Sequence, residues 1–209
     1  MTDRRLWINP FATRYTRPGV IAWQPTPDSP EALIERLDRV GGRGLICGPH
    51  GSGKSTLLRH LMAAAAGRGW KTRVIALRSR ADLGPALGAI VAAAGHGHWL
   101  GIDSWEKLGS AGRLLVPLAA RRGGRIVVTT HQPHDGWPIL LNLQPDAPTF
   151  RRLVGGLLSR VDSQGTMAAE FAPDQLDAIF WRHRGNLREA FFELYDHFER
   201  DTRSLIGEV

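Results

Sequence analysis

One stretch decides the fold of this chain: Gly48-Pro-His-Gly-Ser-Gly-Lys-Ser-Thr56. It matches the pattern G-x-x-x-x-G-K-[ST] of a phosphate-binding loop, the P-loop. Its three glycines allow the backbone to curl round a polyphosphate, with successive N–H groups directed at the ligand. The pattern predicts a polyphosphate site formed by Gly48, Pro49, His50, Gly51, Ser52, Gly53, Lys54, Ser55 and Thr56.

The sequence around the loop has the context that such a site requires. The apolar run Leu45-Ile46-Cys47 is typical of a short buried strand, and residues 55 to 66 carry apolar side chains at helical spacing. A strand, a loop and a helix in this order form an anion site at the helix N-terminus, although a glycine-rich turn needs no ligand. We expect Lys54 to reach the β- and γ-phosphates and the Ser55 hydroxyl to ligate Mg²⁺.

Length and composition set the class of protein. The 209 residues are enough for one α/β domain with a small appendage. No apolar run approaches the 18 or more residues of a membrane span, and the first residues lead into no apolar leader segment, so we expect a cytoplasmic protein without a membrane span. The single cysteine, Cys47, excludes an intrachain disulfide, and a packing role suits it.

The chain is basic. Lys and Arg number 27 against 20 Asp and Glu, which gives a net charge of +7. All but three of these cations are arginines, a bias that codon composition can also produce. The charge allows a nucleic-acid partner besides an unidentified protein partner.

Apolar patterning predicts strands alternating with helices up to about residue 145. The strands are predicted at 45–47, 74–77, 99–102, 125–130 and 139–143, and the helices at 30–40, 55–66, 84–94 and 104–122, the last with a break at Pro117. This alternation indicates a parallel sheet covered on both faces, with the ligand at the carboxyl ends of its strands.

Both ends of the chain differ from this α/β part. After residue 145 the pattern is all helical, at 147–160, 173–182 and 187–202. Residues 1–30 form an arm in which aromatic side chains such as Trp7, Phe11, Tyr15 and Trp23 lie among prolines. The predicted domains are therefore an arm (1–30) packed on the core, an α/β domain (31–145) and a helical subdomain (146–209). The arm either covers the edge of the sheet or lines an adenine pocket with residues 9–15.

Two carboxylates follow the third predicted strand. Asp103 ends that strand, where a second acidic group can hold the hydration shell of Mg²⁺, or where it can cap the next helix. Glu106 lies three residues later and either polarises the attacking water or forms a capping box with Asp103.

Polar residues also follow the fourth strand and open the last helix. Thr130 and His131 can sense a γ-phosphate or orient water, or can satisfy backbone groups at the strand end, and His131 can serve as a general base. Arg188 lies in a first helical turn, off the apolar stripe. A cation there opposes the helix dipole, which indicates an anionic partner, although the residue can simply be exposed.

Taken in order, the P-loop, the strand ending in Asp103, the Thr129-Thr130-His131 segment and the Gly185-Asn-Leu-Arg helix start resemble an AAA+ type ATPase of the P-loop NTPase superfamily. The resemblance covers about residues 30 to 200, and its P-loop alone is specific. It implies ATP and Mg²⁺ at Lys54, Ser55 and Asp103, a sensor-1 role near Thr130 or His131, and a sensor-2 role for Arg188 on a helical lid. It also implies a five-stranded parallel sheet of order 5-1-4-3-2.

The sequence departs from this family in two places. Many ATP-hydrolysing members carry a glutamate directly after the aspartate, where this chain has Ser104. Residues 131–138 are too few for the helix that usually carries a trans-acting arginine finger, so an oligomer is possible without being indicated.

These observations predict a Mg-ATP-binding, ATP-hydrolysing switch that acts on a protein or nucleic-acid partner. The first alternative is a binding module that uses ATP without hydrolysing it. The second is a P-loop small-molecule kinase, against which Arg78-Ser-Arg80 offers no acidic pair to activate an acceptor hydroxyl.

Overall fold

The computed structural model describes residues 8–21, 28–95, 97–134, 136–161 and 171–207, with side chains up to residue 200. The chain divides into two compact units. The first comprises residues 1–24, 50–52 and 144–209, and the second comprises residues 25–49 and 53–143.

The helices and strands follow one another as the alternation predicts. In chain order they are α1 (Thr13–Thr16), α2 (Pro30–Arg39), β1 (Arg43–Cys47), α3 (Lys54–Gly67), β2 (Lys71–Ala76), α4 (Leu83–Ala92), β3 (His98–Asp103), α5 (Gly109–Arg121), β4 (Arg125–Thr130), β5 (Ile139–Asn142), α6 (Ala147–Val161), α7 (Pro173–Arg182) and α8 (Leu187–Gly207). Short 3₁₀ turns lie at Arg80–Asp82 and Trp105–Leu108.

The second unit is built on a five-stranded parallel sheet of order β2-β3-β4-β1-β5. Read from the other edge this is 5-1-4-3-2, so the predicted fold class and strand order are confirmed. The central strands β3, β4 and β1 are almost wholly buried, while the edge strands β2 and β5 are half-exposed. The near-continuous apolar runs of the central strands are what burial on both faces requires.

Helices cover both faces of this sheet. Leu100 and Ile102 of β3 share an apolar cluster with α4 and α5. Gly101, between them, faces α3, because a Cβ built there would lie 3.1 Å from Leu58. Since successive side chains of a strand point to opposite faces, α3 lies on one face and the α4–α5 pair on the other.

The first unit has an all-helical core. Phe150 of α6, Phe180 of α7 and Phe191 of α8 form a single apolar cluster, which also contains Phe11 from the N-terminal arm. Asn9 is buried and its Nδ2 donates to the Tyr195 carbonyl oxygen at 3.1 Å, which ties this arm to α8. Trp7 and Trp23, which were expected to help anchor the arm, lie outside the described residues.

One predicted helix differs from the structure. The segment 104–122 was expected to be one helix broken at Pro117, but α5 runs through Pro117 without interruption. The break lies at Gly109, which has φ +57° and separates the 3₁₀ turn from α5. A positive φ is readily adopted by glycine and strained for most other residues. Among the described helices, none has the length and apolar character needed to cross a membrane.

Candidate nucleotide-binding site

The P-loop connects β1 to α3 as the sequence predicts. Cys47 ends β1 fully buried, and Gly53 is the N-cap residue of α3 with φ +91° and no side-chain cap. The first N–H groups of α3 therefore have no capping side chain, which is the arrangement found at anion-binding helix N-termini. Burial raises the pKa of the Cys47 thiol, and the nearby Lys54 ammonium offsets part of that rise.

Gly51 is required in this loop for two reasons. Its φ of +70° lies in the left-handed region that favours glycine. A Cβ built on it would also overlap Oδ1 of Asn186, a residue of the same unit. Any larger residue at position 51 would have to move either the loop backbone or the Asn186 side chain.

Lys54 is buried, with 8% of its surface exposed. Its Nζ donates to the Gly48 carbonyl oxygen at 2.7 Å and to the Pro49 carbonyl oxygen at 2.6 Å. The ammonium thus stabilises the curl of the loop that leads to its own helix.

A hydrogen-bonded network joins the ends of three elements. The Ser55 hydroxyl donates to Asp103 Oδ2 at 2.8 Å, and the Thr129 hydroxyl donates to Asp103 Oδ1 at 2.6 Å. Thr129 Oγ1 in turn accepts from the backbone N–H of Ser104 at 2.9 Å. Both carboxylate oxygens of Asp103 therefore have fixed partners, and the carboxylate is held beside the start of α3.

The contacts of Asp103 differ from those of a helix cap. Its carboxylate bonds to Ser55 and Thr129, and the 3₁₀ turn that follows has Ser104 as N-cap with no side-chain cap hydrogen bond. The capping box with Glu106 is therefore not formed.

The backbone at Ser104 redirects the chain. Its φ of +62° and ψ of +49° are left-handed, which is uncommon for a residue other than glycine. The 3₁₀ turn that follows brings Glu106 to His131, with 3.7 Å between Glu106 Oε1 and His131 Nε2. Ser104 thus precedes a turn that places the Glu106 carboxylate beside His131.

His131 lies between this carboxylate and the P-loop lysine. Its Nδ1 is 3.4 Å from Lys54 Nζ. Because an ammonium group can only donate, Nδ1 acts as the acceptor in this contact, and Nε2 then carries the proton that faces Glu106. The side chains of His131 and Glu106 are each 35% exposed, so water can reach both.

Two observations test whether the site fits a nucleotide and its cation. Ser52 Oγ is buried and, among the described residues, has no hydrogen-bond partner, which a phosphate oxygen in the loop would supply. No group of three or more His, Cys, Asp or Glu within the described residues could hold a metal ion. A cation at Ser55 and Asp103 would therefore depend on phosphate oxygens and water, the ligands that Mg²⁺ takes in P-loop sites.

Two of the residues singled out from the sequence lie outside this network. The Thr130 hydroxyl donates to the Gln132 carbonyl oxygen at 3.0 Å and so closes a turn at the end of β4. Arg188 is exposed in the first turn of α8, where Asn186 Oδ1 accepts from its backbone N–H at 3.2 Å. Its guanidinium makes no hydrogen bond or ion pair with any described residue.

Thr129 is the residue of the network for which the sequence predicts no separate role within the Thr129-Thr130-His131 segment. Parallel pairing places Trp99 beside Arg125 and Ile102 beside Val128, so one residue further on Asp103 lies beside Thr129. Alternation then directs Thr129 to the α3 face and Thr130 to the other. This contact follows from the register of β4 against β3, which no local sequence pattern gives.

Replication initiators are among the solved structures with a similar fold. DnaA bound to AMPPCP and single-stranded DNA superposes with a TM-score of 0.57 at 16% identity, over 88% of this chain and 66% of that one. A DNA replication initiation factor gives 0.54 at 17% identity, over 83% and 63%. AMPPCP-bound DnaA from Aquifex aeolicus gives 0.51 at 18% identity, over 83% and 65%. No protein-family model and no curated protein matches the chain.

The fold is of the AAA+ type. The chain spans slightly less than two thirds of the length of these AAA+ structures. At this level of identity the likeness concerns the fold, and the site rests on the side chains described above. Compared with the usual AAA+ pattern, Ser104 replaces the catalytic glutamate, and eight residues, 131–138, separate β4 from β5.

Proposed function

We propose that this chain binds Mg-ATP and hydrolyses it slowly, as a switch that acts on a partner macromolecule. The observation that supports binding is the network of Ser55, Asp103 and Thr129 beside the buried ammonium of Lys54. It brings Lys54 and the two oxygen-bearing side chains proposed to ligate a cation to one end of the sheet.

Each residue of this network has a role in binding. Lys54 would exchange a carbonyl partner for phosphate oxygens, a stronger charge-assisted contact. Ser52 Oγ would gain the acceptor that it lacks among the described residues. Ser55 and Asp103 would supply oxygen ligands for Mg²⁺, directly or through water, and the cation would neutralise phosphate charge.

Hydrolysis is proposed to depend on Glu106 and His131. Glu106 is the carboxylate that the turn after Asp103 brings to His131, and it is accessible to water. We assign Glu106 as the base that accepts the proton of the attacking water. His131 would orient the Glu106 carboxylate through its Nε2. Arg188 is proposed to contact the γ-phosphate, since its exposed guanidinium lies in a helix turn where an anion is favourable.

The first experiment measures binding of a fluorescent ATP analogue by anisotropy, with Mg²⁺ or EDTA. Lys54→Ala and Asp103→Asn are expected to weaken Mg-dependent binding at least tenfold. The matched controls, Lys71→Ala on β2 and Asp82→Asn in the 3₁₀ turn before α4, are expected to bind like the wild type. Wild-type affinity in Lys54→Ala would disprove the proposed site.

The second experiment measures phosphate release, alone and with single-stranded DNA, RNA or a protein partner. Glu106→Gln is expected to lower kcat at least tenfold while the affinity for ATP stays within twofold. Glu35→Gln makes the same change of side chain at an exposed position on α2 and serves as the control, with kcat expected to equal that of the wild type. Phosphate release no faster than in Lys54→Ala under every condition would favour the binding module that does not hydrolyse ATP.

The proposed partner includes nucleic acid. It rests on the charge of +7, and one structural neighbour was solved with single-stranded DNA. Such binding is expected at low salt and to weaken steeply as salt rises. No binding of a 30-nucleotide DNA or RNA at low salt would remove this part and leave the nucleotide site unaffected.

A further inference from the structure

The outer surface of helices α4 and α5 is unusually apolar. Three large aliphatic side chains are exposed there: Val91 of α4 at 63%, Leu114 of α5 at 74% and Leu118 of α5 at 44%. Leu114 and Leu118 are four residues apart and so share one side of α5. The two helices contact each other and cover the same face of the sheet, so their outward sides form one surface, here called the α4–α5 face.

The outward side of α4 carries no charged or hydrogen-bonding side chain. Its exposed residues are Gly84, Pro85, Gly88, Val91 and Ala92. A surface helix normally has a polar outer side, so this one is atypical for contact with water. A Cβ at Gly84 or Gly88 would meet nothing within 4 Å, which means that packing inside this chain does not require either glycine.

The charged residues of α4 and α5 themselves have one sign. Neither α4 nor α5 contains an acidic residue, whereas Arg113, Arg121 and Arg122 are all exposed on or just after α5. Arg121 lies three residues after Leu118, on the same side of the helix. Within the described residues none of the three arginines has a side-chain hydrogen bond or an ion pair. The face therefore combines aliphatic contact area with uncompensated positive charge.

We propose that the α4–α5 face binds an acidic amphipathic helix of another protein. Leu114, Leu118 and Val91 would contact the apolar stripe of that helix, and the arginines would pair with carboxylates beside the stripe. A second copy of this chain is disfavoured as the occupant, because two chains of charge +7 repel each other. A nucleic acid is disfavoured because its bases stack on aromatic side chains, whereas the exposed large side chains here are aliphatic.

This inference is independent of the proposed ATPase, since it uses no residue of the nucleotide site. Loss of ATP binding in Lys54→Ala would leave it standing, and failure of the peptide test would leave the nucleotide site standing.

The test uses a fluorescein-labelled synthetic helix of 18 residues as the probe. Leu occupies one side of the peptide and Glu most of the remainder, and a scrambled peptide of the same composition is its control. Binding to the full chain is measured by anisotropy at physiological salt. The wild type is expected to bind the amphipathic peptide at least tenfold more tightly than the scrambled one.

Two double variants and one control locate the binding surface. Leu114→Ser with Leu118→Ser removes the apolar contact, and Arg121→Glu with Arg122→Glu reverses the charge; each is expected to weaken binding at least tenfold. Phe192→Ser changes a side chain of α8 that is 47% exposed, and is expected to bind within twofold of the wild type. Because the substituted residues are exposed, all variants should keep wild-type circular dichroism, and only the charge reversal at the C-terminal end of α5 should lower the thermal midpoint, by a few degrees at most.

Several results would overturn the proposal. Equal affinity for the two peptides would do so, as would affinity unchanged in both double variants. A single-stranded oligonucleotide or anionic phosphatidylglycerol vesicles that bind through these residues while the peptide does not would assign the face to nucleic acid or to a membrane. A dimer that Leu114→Ser with Leu118→Ser dissociates in analytical ultracentrifugation would assign it to a second copy.

Discussion

Adjacent threonines at the end of β4 have different tasks because a strand directs successive side chains to opposite faces. Thr129 donates to Asp103 Oδ1 and accepts from the Ser104 N–H, whereas the Thr130 hydroxyl serves a turn with Gln132. Only the first of these hydroxyls fixes a group of the candidate cation site. The two residues therefore form a matched pair for experiment.

Thr129→Val is expected to destabilise the fold and to raise the Mg²⁺ concentration needed for ATP binding. A hydrogen bond to a charged group contributes about 1.5–3 kcal/mol, and Thr129 itself is buried. Urea unfolding and a Mg²⁺ titration of nucleotide binding measure the two effects. Thr130→Val should leave the Mg²⁺ dependence unchanged; an equal shift in both variants would contradict the proposed positioning role of Thr129.

Cys47 should resist alkylation in the native protein. Its thiol is fully buried and burial raises its pKa, so it stays protonated at a pH where an unfolded cysteine ionises. Because the pKa is higher in the native state than in the unfolded state, the protonated thiol adds to the free energy of unfolding below the unfolded pKa. This contribution is lost as the pH rises through the native pKa. Iodoacetamide labelling followed by mass spectrometry should be slow in buffer and fast in urea. Fast labelling of the native chain would show that the thiol is exposed.

The sequence predicts which residues of this site would bind phosphate and cation better than it predicts the hydrogen-bond partners that hold them. Lys54, Ser55 and Asp103 were singled out because their spacing carries the chemistry, and hydrogen bonds connect Ser55 with Asp103. The partner of Asp103 depends on how β4 aligns with β3, and a one-residue change of register would replace Thr129 by a neighbour. Register is set by packing across the whole sheet, so the Thr129 contact could be identified only once the pairing was known.

At the scale of elements, the segment after Asp103 shows where local rules are insufficient. Pro117 was expected to break a helix, yet α5 passes through it, and the change of direction occurs at Gly109. Proline removes one N–H and crowds one carbonyl, which costs about 3 kcal/mol in a helix interior. Tertiary packing outweighs this cost here, because Val116 and Ala119 on either side of Pro117 are buried in the apolar cluster. Such packing is not visible in a local pattern.

Two helical glycines allow a direct test of the open surface of α4. Gly88→Ala is expected to stabilise the chain by about 0.5–1 kcal/mol, because a Cβ there meets nothing and alanine is the better helix former. Gly112→Ala in α5 should destabilise, since its Cβ would lie 2.6 Å from Leu108 Cβ. Urea unfolding measures both variants. Destabilisation by Gly88→Ala would mean that this side of α4 is already covered within the chain.

At the scale of the whole molecule, the α/β alternation was enough to predict a parallel sheet covered on both faces, whereas its strand order was implied by the family resemblance. The two units have separate apolar clusters, one of helices and one around the sheet. The contact proposed for Arg188 can be tested separately from those proposed for Lys54 and Asp103. Ligand-dependent stability therefore reports which of these contacts are made.

Mg-ATP is expected to raise the thermal midpoint of the full chain. A ligand at one hundred times its Kd stabilises the bound state by about 2.7 kcal/mol, and each kcal/mol shifts the midpoint of a chain of this size by about 2–4 °C. Calorimetry should therefore show a rise of roughly 5–10 °C, which EDTA reduces and Lys54→Ala abolishes. Arg188→Ala should retain part of the rise, and Arg184→Ala, a neighbouring exposed arginine, should retain all of it. Equal shifts in the two arginine variants would remove Arg188 from the nucleotide site while leaving Lys54 and Asp103 in place.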